Sequence, residues 1–205
     1  MQQRPPPVGG LTGNMEKIRT FIAVELPAEL KQALSGLQAK LKSSNPPVKW
    51  VDPANIHLTL KFLGDVDVAI TGKITTALEE VVRGMPPFSI EATKLGVFPN
   101  INRIQIIWVG LFGDLPKLSG LQKRIEENLK PLGFPPEGRP FTPHLTLARV
   151  RDYARPEDRQ KLGQLISAAS FEGKYKIPVN SVNLMKSQLT REGPIYTKIS
   201  AVTLK

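Results

Sequence analysis

The chain of 205 residues contains no cysteine and only two histidines. The absence of cysteine excludes disulfide bonds and thiolate metal sites. No apolar run reaches the roughly 18 residues that a membrane-spanning helix needs, and the N-terminus lacks the basic-then-apolar pattern of a secretory signal. We therefore expect a cytoplasmic protein with no membrane partner.

Three common catalytic or cofactor motifs are also missing from the sequence. No Gly-x-Ser-x-Gly segment occurs, which argues against a Ser-His-Asp hydrolase. Neither a P-loop nor a Gly-x-Gly-x-x-Gly segment is found, so nucleoside-triphosphate and dinucleotide sites are not expected. The hydrophobic content of 40% and the charged content of 22% are ordinary for a globular protein with a substantial core.

The formal net charge is +10, and the positive residues are spread along the chain rather than gathered in a tail. An excess of this size favours polyanionic partners through phosphate contacts and counterion release. The alternative is that the charge serves solubility alone. A distributed charge suits a basic groove better than a nucleic-acid-binding arm.

Two similar passes of secondary structure follow a short extension. Residues 1–15 are rich in Pro and Gly and are expected to be a disordered extension. Residues 16–205 are expected to form a single bilobal domain made of two pseudo-repeats, at about 16–100 and 101–205. Each is predicted to be one copy of a duplicated β-α-β-α-β unit, which gives an α+β fold with a cleft between two lobes.

The element boundaries come from hydrophobic periodicity and from turn residues. Strands are predicted at residues 19–25, 56–63, 88–98, 104–111, 177–187 and 194–204, with a further strand on the second histidine segment. Gly64 is expected to end the strand at 56–63. Helices are predicted at residues 27–42, 68–83, 116–132 and 156–169. Hairpins are expected across residues 99–103 and 189–193.

Both histidines open the same tetrapeptide, His-Leu-Thr-Leu, at His57 and at His144. Finding Leu-Thr-Leu after both by chance has a probability on the order of one in a million. The two segments lie at matched positions of the two passes. One site assembled from two halves explains the coincidence, whereas surface histidines on half-exposed strands are the alternative reading.

Strand alternation divides each tetrapeptide between two faces, because residues i and i+2 point the same way. The leucines, with Ile56 and Phe62, are predicted to face the core. The opposite face, toward the cleft, is predicted to carry these residues: His57, Thr59, Lys61, His144, Thr146 and Ala148. The His-Thr pairs are therefore the candidate chemical groups, and Lys61 is a candidate to attract a phosphodiester.

Two imidazoles and two hydroxyls are suited to in-line cleavage of a phosphoester without a metal. One neutral and one protonated imidazole can act as base and acid near neutral pH. The hydroxyls of Thr59 and Thr146 would bind non-bridging oxygens. A metal site is the weaker alternative, because two histidines are too few ligands and Asp65 and Asp67 lie past the strand's end.

The paired motifs resemble the 2H phosphoesterase superfamily, defined by two His-x-Thr/Ser repeats. The resemblance extends to its RNA 2′,3′-cyclic phosphodiesterase branch, historically called 2′-5′ RNA ligase, and covers residues 16–205. The segments that carry it are residues 19–27, 55–64, 96–99, 103–110, 140–149 and, near the C-terminus, 187 with 193–196.

The resemblance implies a bilobal α+β fold of the LigT-like type, with antiparallel sheets lining a central cleft and helices outside. It also implies hydrolysis of 2′,3′-cyclic phosphate ends to 2′-phosphomonoesters without a cofactor, and in some members 2′-5′ ligation. By carry-over, His57 would protonate the departing 3′-oxygen and His144 would activate water. The two roles can be exchanged, because the motifs are nearly equivalent.

Three further residues are candidates for substrate binding. Arg149 matches a family arginine that resembles a phosphate or base contact, and a bulge or strand end must turn it toward the cleft; otherwise it is a solvated charge. Phe21 and Tyr196 are candidates for stacking on a base, with core packing as the alternative for Phe21.

The sequence thus predicts a monomeric, metal-independent hydrolase of RNA processing. Its expected partners are RNA ends or tRNA fragments with 2′,3′-cyclic phosphates, and small cyclic nucleotides. The alternative from another class is a non-catalytic RNA- or nucleotide-binding module that uses the same cleft. Intact His and Thr residues in both motifs argue against it.

Overall fold

Nine strands and four helices follow one another along residues 16–205, the part of the chain that the computed structural model describes. The predicted extension of residues 1–15 lies outside the described residues. The strands are β1 (Lys17–Val24), β2 (Val48–Trp50), β3 (Leu58–Asp67), β4 (Phe88–Phe98), β5 (Ile106–Gly113), β6 (His144–Val150), β7 (Tyr175–Val179), β8 (Ser181–Leu189) and β9 (Pro194–Thr203). The helices are α1 (Ala28–Lys42), α2 (Thr71–Val82), α3 (Leu115–Leu129) and α4 (Pro156–Ala168).

The strands form two antiparallel sheets, which confirms the predicted α+β class. One sheet has four strands in the order β3-β1-β8-β9, and the other has five in the order β2-β6-β5-β4-β7. Both predicted hairpins, β4–β5 and β8–β9, are present. Over residues 16–205, none of the helices is long and apolar enough to cross a bilayer.

Each sheet combines strands from both halves of the chain. The single strand predicted over residues 177–187 is wrong: it is divided at Asn180 into β7, which pairs with β4, and β8, which pairs with β1. Pro178 lies two residues before this crossing, but the apolar residues on either side of it make the pattern resemble one strand. The sheets therefore do not coincide with the two pseudo-repeats.

The predicted end of the first motif strand at Gly64 is also wrong. Gly64 adopts a φ of +74°, a conformation that glycine tolerates without strain. The register of β3 against β1 shifts beside it, between Thr20 and Phe21, and the strand continues to Asp67. The glycine accommodates an irregularity within the strand instead of ending it.

A bulge in β3 reverses the predicted alternation after the second leucine. Thr59 lies opposite Ala23 and Lys61 opposite Ile22, so Leu60 is an extra residue on its strand. One extra residue moves every following side chain to the other face. Lys61, predicted to face the cleft, is therefore buried, and Phe62, predicted to face the core, is 60% exposed.

The same bulge occurs at the matched leucine of β6. Thr146 lies opposite Trp108 and Ala148 opposite Ile107, which leaves Leu147 as the extra residue. Ala148, predicted to face the cleft, is fully buried for the same reason. Arg149 follows it and is exposed. The bulge therefore turns Arg149 away from the core, as expected if this residue is to contact substrate.

Lys61 is a buried ammonium group held by a carboxylate and a carbonyl. Its Nζ forms an ion pair with Glu126 of α3 and donates to the carbonyl oxygen of Pro135 at 2.9 Å. The other carboxylate oxygen of Glu126 accepts from Gln122 at 2.9 Å. The group ties the first motif strand to a helix from the other half of the chain.

Replacing Lys61 by Ala is expected to lower the free energy of unfolding by about 3–5 kcal/mol, because Glu126 is then left buried and unpaired. Replacing both partners, as Lys61→Met with Glu126→Leu, is expected to cost far less. Urea denaturation measures both. Lys117→Ala, which breaks the exposed pair with Asp114, is the control and should cost at most about 1 kcal/mol. A Lys61→Ala variant no less stable than this control would contradict the prediction.

Candidate active site

The two His-Leu-Thr-Leu segments lie where the two sheets meet. His57 immediately precedes β3, His144 begins β6, and these two strands contact one another. Thr59 and Thr146, like both histidines, are partly exposed. The four leucines of the segments are buried in the main hydrophobic core. Within the tetrapeptides the predicted division between the two faces is therefore confirmed.

Both imidazoles are anchored in the same way by the main chain. Nδ1 of His57 bonds the carbonyl oxygen of Asn55 at 2.8 Å, and Nδ1 of His144 bonds that of Thr142 at 2.7 Å. A carbonyl oxygen only accepts, so Nδ1 carries the hydrogen in each ring. Nε2 is then the nitrogen left free to accept a proton when the ring is neutral and to donate one when it is charged.

His57 is enclosed by aromatic rings. Phe21 stacks on it with centroids 4.6 Å apart, and Tyr196 approaches edge-on at 5.2 Å. Phe21 is only 3% exposed, so its ring supports the imidazole and is covered from solvent. Burial lowers the pKa of His57 below its ordinary value of 6.5, the hydrogen bond to Asn55 opposes this, and Lys31 adds a smaller lowering effect.

His144 has a different set of aromatic neighbours, which the sequence did not indicate. Phe98 meets it edge-on at 5.0 Å and Trp108 is tilted toward it at 6.4 Å. The Trp108 ring lies directly over Gly96, where an added Cβ would come within 2.3 Å of the ring. The position therefore requires glycine, which the segment at residues 96–99 supplies.

Tyr196 is a partly buried tyrosine beside His57. Burial raises the pKa of its hydroxyl, while the positive charges of Arg149 and Arg19 act in the opposite direction. Arg149 belongs to the second motif strand, whereas Tyr196 contacts the histidine of the first. The rings of Phe21, His57 and Tyr196 therefore form one cluster.

Phe62 is exposed, although strand alternation predicted that it would face the core. Both bulges turn the residue five positions after the histidine outward, which is Phe62 in β3 and Arg149 in β6. The Phe62 ring lies 6.2 Å from that of Phe21, on the side of His57. Phe62 and Arg149 each lie five residues after a motif histidine. This equal spacing is the sequence feature from which their shared exposure could have been predicted.

No cluster suited to a metal ion is found over residues 16–205, where no three His, Asp or Glu side chains converge. Asp65 and Asp67 lie at the far end of β3, and the side chain of Asp67 accepts a hydrogen bond from the backbone of Ala69 instead. The groups of this arrangement that can transfer a proton near neutral pH are the two imidazoles.

Two antiparallel sheets that bring a pair of His-x-Thr motifs to one junction define a phosphoesterase of the 2H superfamily. A family model described as "LigT like Phosphoesterase" matches residues 24–108 and 114–196. The chain belongs to the LigT-like phosphoesterase family, and it is an enzyme of the hydrolase class.

Similar proteins share both sequence and fold with this chain. An RNA 2′,3′-cyclic phosphodiesterase of Methanothermobacter thermautotrophicus is 38% identical over 189 residues, which covers 92% of this chain and all of that protein. One of Methanocaldococcus jannaschii is 33% identical, covering 89% and 98%. Escherichia coli LigT, solved with 3′-AMP, has the same fold, with a TM-score of 0.76 at 23% identity over 93% and 99% of the two chains.

Phe21→Ala is expected to raise the pKa of His57 toward 6.5, because the ring that excludes water from the imidazole is removed. The chain has two histidines, so NMR titration of their ring protons gives two curves that a His144→Ala variant assigns. In the unmodified protein the His57 curve should have its midpoint below 6.5. A midpoint above that value, or one that Phe21→Ala leaves unchanged, would refute the assignment.

Proposed function

We propose that the chain is an RNA 2′,3′-cyclic phosphodiesterase that hydrolyses cyclic phosphate ends to 2′-phosphomonoesters by two-histidine catalysis without a metal. The observation that carries the proposal is the matched anchoring of His57 and His144 through Nδ1, which leaves one Nε2 from each motif for proton transfer. Relatives named RNA 2′,3′-cyclic phosphodiesterase along nearly the full chain support the substrate class.

In the proposed reaction, water attacks the phosphorus as its proton passes to Nε2 of His144. A new P–O bond forms to the water oxygen, and the bond from phosphorus to the 3′-oxygen breaks. Nε2 of His57 gives its proton to that leaving oxygen, so the products are a 2′-phosphomonoester and a free 3′-hydroxyl. Each positioned proton transfer contributes about 10²–10⁴ in rate.

Charge on the phosphoryl oxygens is met by hydroxyls and a guanidinium. Thr59 and Thr146 lie on the same face as their histidines and donate to the non-bridging oxygens. Arg149, turned outward by the bulge, supplies a fixed positive charge and a planar pair of donors. These groups hold the phosphate in line for displacement.

His57 must be protonated to act as the acid, and burial lowers its pKa in the free protein. A phosphodiester carries a negative charge, which favours the protonated imidazole once substrate lies beside it. We therefore propose that His57 takes up its proton as the substrate binds. Phe21 and Tyr196 exclude water from the ring and so strengthen this coupling.

The rest of an RNA end is recognised by charge and stacking. The net charge of +10 attracts a polyanion. Phe62, 60% exposed next to the His57 cluster, offers a ring face to a nucleobase. Tyr196 supplies an edge on the same side. We assign base stacking to Phe62 and leave Phe21 as the support of the imidazole.

Three finer assignments complete the proposal. Formation of a 2′-5′ linkage is the same displacement of the 3′-oxygen with an RNA 5′-hydroxyl in place of water, so it would use the same two histidines. A monomer suffices, because one chain supplies both motifs. A cytoplasmic site of action fits RNA fragments as substrates.

His57→Ala and His144→Ala are each expected to lower turnover of a nucleoside 2′,3′-cyclic phosphate by about 10²–10⁴, since each removes one proton transfer. The assay is run in EDTA with identification of the 2′-phosphate product. Unchanged thermal unfolding of both variants is the control. An unmodified protein that binds RNA tightly without turnover, with both variants binding equally, would favour a binding module instead.

A substrate with sulfur in place of the 3′-bridging oxygen separates the roles of the two histidines. A thiolate leaves without protonation, so His57→Ala should recover most of its activity on this substrate and His144→Ala should not. The opposite pattern would exchange the two roles.

Phe62→Ala is expected to raise the KM for a short RNA with a cyclic phosphate end by about 5- to 100-fold, because stacking on one base contributes about 1–3 kcal/mol. Phe171→Ala is the control, since Phe171 lies just before β7 with its ring against Tyr175, and β7 is the edge strand that β4 and β5 separate from β6. Steady-state kinetics on both variants provides the comparison. Equal effects of the two substitutions would remove Phe62 from the binding site.

A further inference from the structure

The bulge in β6 is held by a buried glutamine from α1. Gln38 is fully buried, and its Nε2 donates to the carbonyl oxygen of Leu147 at 3.1 Å and to that of Val51 at 2.7 Å. The backbone N–H of Val51 donates to the same Leu147 oxygen at 2.9 Å. Leu147 is the extra residue of the bulge, so the glutamine binds it directly.

An amide is needed at this position because the sheet ends there. β2 stops at Trp50, and the pairing of β2 with β6 runs out beside the bulge. The carbonyl oxygen of Val51 and the second lone pair of the Leu147 oxygen, whose first lone pair accepts from the Val51 N–H, then lie close together in the protein interior. A buried acceptor without a donor is costly there. The two N–H bonds of one amide group satisfy both, and its carbonyl oxygen cannot take their place because it does not donate.

The matched position of α3 makes a related contact with the other motif. Gln38 follows buried Leu37 and precedes buried Leu41 by three residues, as Glu126 follows Ile125 and precedes Leu129. Glu126 holds Lys61, the neighbour of the bulge residue Leu60. Each helix thus reaches the bulge in the motif of the opposite half of the chain.

We propose that Gln38 is a positioning residue for the active site. By fixing the carbonyl of Leu147 it holds the β6 bulge, and the bulge places Thr146 and Arg149 on the same face of their strand. Without the bulge, Arg149 would alternate to the opposite face from Thr146. The inference deepens the proposed function, and its activity readout rests on that function.

Gln38→Met keeps the length of the side chain and removes the donors. We expect it to raise the KM for a nucleoside 2′,3′-cyclic phosphate by about tenfold, a coupling typical of residues in one network. In an Arg149→Ala background the same substitution should have less than about a threefold effect, because the guanidinium that it positions is already absent. Gln38→Leu serves as the second variant should the methionine variant not fold.

Leu41→Ala is the control, because Leu41 is a buried core residue of the same helix and is not hydrogen-bonded to β6. It is expected to lower stability yet to act additively with Arg149→Ala. If the effects of Gln38→Met and Arg149→Ala on the KM are additive, Gln38 has only a structural role and the proposal is overturned.

Hydrogen–deuterium exchange gives a readout that does not depend on turnover. Gln38→Met should speed amide exchange in the segment His144–Val150, whereas Leu41→Ala should leave that segment near the behaviour of the unmodified protein. Unchanged exchange in Gln38→Met would overturn the proposal whatever the activity. An unmodified protein without turnover, but with faster exchange in the variant, would reject the proposed function and retain the positioning role.

Discussion

The bulge at the second leucine of each motif is the feature on which the candidate site depends. Before it, His and Thr point toward the junction of the two sheets while the leucines pack into the core. After it, the alternation is reversed, so Phe62 and Arg149 join the histidine side. In regular strands the third residue on this face would be Lys61 or Ala148, whereas the extra residue places Phe62 or Arg149 there instead.

Exchange of elements between the two halves of the chain makes the site a single unit. Each sheet contains strands from both halves, and Gln38 and Glu126 each reach a motif of the opposite half. Neither half can form its sheet without strands from the other. The spacing of the two histidines is therefore fixed by the packing of the whole domain, as the proposed two-histidine catalysis would require.

Departures from symmetry give twin motifs different properties. After the bulge, one strand has a buried lysine paired with Glu126 and the other a buried alanine. His57 stacks on Phe21, whereas His144 meets Phe98 and Trp108 edge-on or tilted. Burial within the first group lowers the pKa of His57. The histidines of identical tetrapeptides can therefore take the opposite roles of acid and base that we propose, because the pKa of a side chain depends on its surroundings and not on the motif.

The sequence by itself determined the α+β class, most of the elements and the His-Thr pairs, because these follow from local periodicity and from a repeated motif. Only the tertiary structure decided the rest. The burial of Lys61 and Ala148 and the exposure of Phe62 depend on bulges, which exist only relative to a neighbouring strand. The division of β7 from β8 likewise depends on which sheet offers a free edge. The apolar-polar alternation of one strand does not depend on the register of its neighbour. Bulges and the choice of pairing partner therefore cannot be predicted from that alternation and are set only when the strands pair.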